Sequence, residues 1–186
     1  YSWRGIFGVH TWFAVKPTDA LEFAVYEVIG WRVRRGAPAV AISTRPADGR
    51  WFDAIPEVIA DVRGDGVDDM IKRIDQAARG YPYMNEYTVW PGPNSNTFTA
   101  HVARAVPELK LDLPPTAIGK DYLPGGSLVV KTPSGTGMQI SLAGLLGIMV
   151  GKEEGVEINL LGLTFGLDPL DFAVKLPMAG RIGGSS

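Results

Sequence analysis

Ser95, His10 and Glu27 are the residues of this chain whose types and order best suit bond-making chemistry. Ser95 lies in the stretch PGPNSNTF, ahead of Phe98, Val102, Ala105 and Val106, which follow a helical spacing. That spacing predicts a helix opening at Ser95, with Asn94 as its N-cap and Pro93 stiffening the entry. Three residues back from Phe98, Ser95 falls on the inward-facing stripe. A first helical turn offers unpaired N–H donors and a partial positive charge, so donors near Ser95 and Asn96 suit an oxyanion. A serine hydroxyl still needs a base. His101 lies roughly 9 Å further along the helix axis and points elsewhere, which leaves His10. The competing reading of Ser95 is a helix-start residue or a core-facing hydroxyl bonded to backbone.

His10 needs a strand to carry it. Residues 6–15 are rich in β-branched and aromatic side chains, residues 16–19 (KPTD) signal a turn, and residues 21–31 read as a second strand. A hairpin centred between Thr18 and Asp19 sets His10 opposite Glu27, which would hold the imidazole as the third member of a triad does. Tyr26 takes that place if the register moves by one. Alternatively, Glu27 faces solvent or pairs with Arg32, Arg34 or Arg35. Trp12 and Trp90, close in sequence to His10 and Ser95, are expected to line a pocket between them. His101 reads as a packing residue at the edge of the helix stripe.

Further elements follow from pattern. A third strand is expected at residues 39–43 and a short turn of helix near residues 56–60. Val67, Met70, Ile71, Ile74 and Ala78 make one stripe of an amphipathic helix, capped by Asp65 or Asp68 and closed by Gly80. A short strand is expected at residues 87–90. Beyond residue 109 prolines and glycines divide the chain, and residues 127–132, 139–150 and 156–165 read as strands; residues 142–150 also suit a buried helix. The fold class is α+β: an antiparallel sheet with packed helices over residues 1–120, and a Gly-rich β extension of the same domain over residues 121–186.

The order of a histidine strand, a second strand and a helix opened by "NSNTF" resembles the circularly permuted papain-like hydrolases. These include the small deSUMOylating-type peptidases and the lecithin:retinol acyltransferase-like group. His10 in "GVHTWFAV" matches their histidine motif, and Ser95 stands where their cysteine belongs. Across most of the chain, "GVHTWFAVKP", "YEVIGW", "VWPGPNSNTFTAHVARAVPEL", "LDLPPTAIGKDYLP" and "EINLLGLTFGLDPL" resemble the bacterial domain-of-unknown-function 3750 family. The first resemblance implies a circularly permuted papain-like core acting on an amide or ester. In it Ser95 attacks, His10 serves as base and acid, and Glu27 orients the ring. It equally implies a retired enzyme whose cleft binds a peptide, lipid or cell-wall fragment, or which scaffolds a protein partner. The second resemblance implies a cell-envelope location, with any membrane association supplied by a segment outside this chain.

Composition narrows the classes. The chain has 186 residues, 46% hydrophobic and 20% charged, with a net charge of −2 and no basic tract, which disfavours nucleic acid. It contains no cysteine and two histidines, so disulfides, thiolate metal sites and a cysteine nucleophile are excluded. "RGDGVDD" lacks calcium-loop spacing, "GIMVGKE" fails as a phosphate loop because Glu153 stands where Ser or Thr is needed, and "PSGTG" reads as a turn. No cofactor is implied.

Overall fold

The computed structural model describes residues 8–184. They form an α+β structure built on two antiparallel sheets. The first has the order β1 (Phe13–Val15), β2 (Ala24–Val28), β3 (Val40–Thr44). Three helices accompany it: α1 (Gly30–Arg34), α2 (Val67–Arg79) and α3 (Ser95–Ala105). Val15, Tyr26, Val28 and Val40 leave one face of this sheet and pack on Met70, Ile74 and Ala78 of α2 and on Phe98 and Val102 of α3. The four-residue spacing on each helix presents one continuous stripe to that core.

Of the strand expected at residues 6–15, only Phe13–Val15 is strand; residues 8–12 are not, and residues 6–7 lie outside the described residues. β2 covers only Ala24–Val28, because the chain turns into α1 at Gly30, against which the Tyr87 ring packs where a Cβ would stand. Neither Asp65 nor Asp68 caps α2. Its N-cap is Gly66 in the left-handed region (φ 84), and the Asp68 carboxylate instead accepts from the Thr18 backbone N–H at 2.9 Å. Residues 56–60 form no helix and residues 87–90 no strand. The Val89 carbonyl accepts from the Asn94 side chain rather than from a neighbouring strand.

The second sheet is a seven-stranded meander: β4 (Val129–Lys131), β5 (Met138–Leu142), β6 (Leu146–Gly151), β7 (Gly155–Leu160), β8 (Leu163–Asp168), β9 (Ala173–Leu176) and β10 (Gly180–Gly183). The single strands expected at 139–150 and 156–165 are each split by a tight turn, and residues 142–150 are not helical. Ala143 and Gly144 (φ 51 and 72) turn β5 into β6, and Leu161 and Gly162 (φ 54 and 85) turn β7 into β8. The β7–β8 loop has two residues, for which a right-twisted hairpin requires two successive positive φ values, and the β5–β6 loop adds Leu145 as a third.

Burial on this sheet is inverted. Along β5 and β7 the polar Gln139, Ser141, Glu157 and Asn159 are buried, while Met138, Ile140, Leu142, Val156, Ile158 and Leu160 are exposed. The polar face is covered by residues 112–121 through a charge network. Lys120 Nζ donates to Glu157 Oε2 at 2.6 Å, and Lys175 Nζ donates to Glu157 Oε1 at 2.8 Å and to Asp112 at 2.7 Å. Burial pushes the Glu157 carboxyl up, but the two ammonium groups outweigh it and hold it below the usual range.

Candidate functional site

The start of α3 is fixed by Asn94. Its Oδ1 accepts from the backbone N–H groups of Asn96 (2.9 Å) and Thr97 (3.2 Å), while Thr97 Oγ1 accepts from the Asn94 N–H (3.1 Å), completing a capping box. Asn94 Nδ2 donates to the carbonyls of Val89 and Ile118 at 3.0 Å each. Gly119, at φ 103, leaves room for this amide, since a Cβ there would collide with it. The expected cap is therefore present. Its consequence is that the Asn96 N–H, expected near an oxyanion, is already bonded.

Asn96 turns to the amino-terminal segment: Nδ2 donates to the Val9 carbonyl at 3.0 Å and Oδ1 accepts from Thr11 Oγ1 at 2.9 Å. Thr11 Oγ1 also lies 2.7 Å from Thr99 Oγ1. Val9 and Phe13 pack beside Ala100 and Ala103 of α3. The odd-numbered residues of this extended stretch thus face α3. Ser95 is buried on the stripe of Phe98 and Val102, and its hydroxyl bonds no described residue.

The even-numbered residues face away from α3, as alternation in an extended chain demands. His10 Nε2 donates to Glu27 Oε2 at 3.0 Å, and the imidazole stacks on Trp51 with centroids 4.0 Å apart and planes 14° apart. Trp12 lies 5.8 Å from His10, donates through Nε1 to the Ala47 carbonyl at 3.2 Å, and carries the Arg45 guanidinium 4.9 Å over its ring. Arg45 also reaches Glu27 Oε1 at 3.4 Å. Burial pushes the Glu27 carboxyl up, but the His10 hydrogen bond, the imidazole's proximity and the Arg45 charge outweigh it, so the carboxyl sits below the usual carboxylate range. A carboxylate only accepts, so Nε2 carries the shared hydrogen, and no described residue bonds Nδ1.

A cavity of about 150 Å³ opens beside this cluster, walled by His10, Trp31, Arg34, Trp51 and Tyr87 with the backbone turn at Gly30. Trp31 and Trp51 stack at 5.7 Å and 18°, so Trp31, Trp51 and His10 form a ladder of near-parallel rings. The structure thus unites His10 with Glu27 and Trp12. No hydrogen bond joins Ser95 to either His10 or Glu27. Trp90 lies apart from this cavity, its Nε1 donating to the Leu161 carbonyl in the β7–β8 turn at 2.8 Å. Arg45, not Arg32, Arg34 or Arg35, is the guanidinium on Glu27. Trp51 and Arg45 arrive on the loop after β3, and nothing local in their sequence places them beside His10. His101 packs edge-on to Tyr81 and its Nε2 meets the Ala77 carbonyl at 3.2 Å. Burial pulls its pKa down, consistent with a neutral packing residue.

Residues 1–122 match the family model described as protein of unknown function DUF3750. No curated protein and no solved structure matches the chain.

Proposed function

We propose, for a chain that belongs to the DUF3750 family, that it is a non-catalytic binding module of the cell envelope. In this reading it descends from a circularly permuted papain-like core at residues 1–120, with residues 121–186 as its β extension. The ligand class is a peptide or cell-wall fragment that brings one flat ring or side chain and one carboxylate. The observation that carries this reading is the His10–Trp51 stack at 4.0 Å, which commits the imidazole to the wall of an aromatic cavity. The free face of Trp31 and the edge of Trp51 would receive an apolar ring. The Arg34 guanidinium would take the carboxylate. A space of about 150 Å³ is below the roughly 300–1,000 Å³ of pockets that enclose whole small molecules. It therefore suits one group of a larger ligand.

A second reading is a hydrolase or acyltransferase in which Ser95 attacks, and two observations favour it. The Ser95 hydroxyl bonds no described residue, and His10 is held by a carboxylate as a general base would be. Against it, His10 is directed away from α3, and the capping box occupies the Asn96 and Thr97 donors that an oxyanion would need.

Intrinsic tryptophan fluorescence titrated with soluble peptidoglycan fragments tests the binding reading. Saturable quenching that is lost in Trp51→Ala and weakened in Arg34→Ala is the expected result; an unchanged titration in both variants would overturn it. A fluorophosphonate probe separates the second reading, since labelling of the wild type but not of Ser95→Ala would establish a serine nucleophile.

A further inference from the structure

The outward face of the seven-stranded sheet is apolar in every strand. The pairing aligns its side chains in rows, so that Ile140, Ile148, Ile158 and Phe165 sit side by side across four strands. Each is between 42 and 57% exposed. The parallel rows through Val150 and Leu146 are equally apolar, and Lys131 on the edge strand β4 is the one charge on this face among the described residues. An antiparallel sheet with one solvated face ordinarily turns its polar side to water. Here the orientation is pinned by the opposite face. Lys120, Lys175 and Glu157 are each no more than 2% exposed and mutually paired, and a one-residue slip would bring them out and the isoleucines in. Among the described residues, the Tyr81 hydroxyl is the one buried side-chain polar atom without a partner, so the polar face is satisfied as it stands.

Seven strands spaced ~4.8 Å apart and about five residues long give this face a plan area of roughly 600 Å². That lies at the upper end of the largest apolar patches on monomers, roughly 300–600 Å². Two such faces together give roughly 1,200 Å², above the ~1,000 Å² that a specific interface needs. The surroundings of the face discriminate between occupants. The turns at one end, at 143–144, 161–162 and 177–179, carry no charge, and those at the other mix Lys152 with Glu153 and Asp171. An anionic lipid surface would be met by a basic girdle, which this rim lacks. A second copy presents the same apolar rows, with Lys131 at their edge, and the same mixed rim, so the face is complementary to itself.

We propose that two copies of this chain pack these faces together about a two-fold axis, as the halves of a β-sandwich. The axis passes near Ile158, the middle outward residue of the central strand β7. The result is a dimer whose two aromatic cavities lie outside the interface.

Sedimentation equilibrium tests this. The wild type is expected at twice its 20.0 kDa chain mass. Ile158→Lys is expected to weaken self-association at least about 30-fold, the loss of one hot spot, while its circular dichroism stays native. Ile55→Lys, an exposed residue of the loop before α2, should leave the dimer intact. Since the chain has no cysteine, Ile158→Cys gives a second test: a short bis-maleimide should couple it to itself in high yield, and Ile55→Cys should not be coupled. A wild type that stays monomeric up to millimolar concentration would overturn the proposal. So would a dimer indifferent to Ile158→Lys, an uncoupled Ile158→Cys, or a monomer that floats with phosphatidylcholine vesicles.

Discussion

His10 and Glu27 meet at 3.0 Å although His10 precedes β1 and lies outside the sheet. The β1–β2 ladder pairs Phe13 with Tyr26 and Val15 with Ala24; continued backward, this register sets His10 against Ile29. Glu27 is the diagonal neighbour two residues away, a separation that long side chains span. Arg45, the first residue after β3, closes the cluster on its other side.

This contact gives a pH prediction. The folded-state pKa of Glu27 is depressed below its ordinary 4.5, so its stabilisation is fully present above that pH and is lost as pH falls through the folded value. Urea unfolding of wild type and Glu27→Gln should differ by about 1.5–3 kcal/mol at neutral pH, the worth of a hydrogen bond to a charged group. The difference should shrink steadily below pH 4.5. A constant difference across the acid limb would contradict the pairing.

The α3 cap gives a second prediction. Asn94→Ala removes an acceptor for two helix donors and two donations to loop carbonyls, so its cost should lie at the upper end of capping losses, about 2 kcal/mol. Asn94→Asp keeps the acceptor and loses the donors, and should fall between the two. Chemical denaturation of the three proteins orders them.

Lys120→Met should be among the most damaging single changes in the chain. It leaves Glu157 buried with half its counter-charge and strips the Leu113 carbonyl of its donor. Removing one partner of a buried ion pair typically costs about 3–5 kcal/mol. A thermal unfolding midpoint within the scatter of wild type would show the network to be dispensable.

Tyr81→Phe should do the reverse. The Tyr81 hydroxyl is buried edge-on beside Phe98 with no partner, and an unsatisfied buried group costs about 1–3 kcal/mol. The variant is expected to equal or exceed wild-type stability in the same denaturation assay.

Legibility in the sequence followed the range of the contact. Asn94 and the stripe Met70–Ile74–Ala78 are local features, and both were readable from spacing. The His10–Glu27 pair was readable from hairpin geometry, with a register two residues off that the diagonal contact forgave. The two tight turns were hidden because neither Ala143-Gly144 nor Leu161-Gly162 is the Asn-Gly or Asp-Gly that usually marks successive positive φ values. Trp51 and Arg45 reach the site on a loop whose path no periodicity encodes. The inverted sheet was hidden for a different reason. A period of two distinguishes two faces, but contacts from distant residues such as Lys120 and Asp112 decide which is covered.

The most direct test of the binding account is a nuclear magnetic resonance titration of the assigned protein with a soluble peptidoglycan fragment. Saturable shifts are expected at the His10 imidazole and at the Trp31 and Trp51 indoles, with the Ser95 and Asn96 amides unmoved and the fragment recovered intact. Shifts centred on Ser95, or cleavage of the fragment that depends on Ser95, would contradict it.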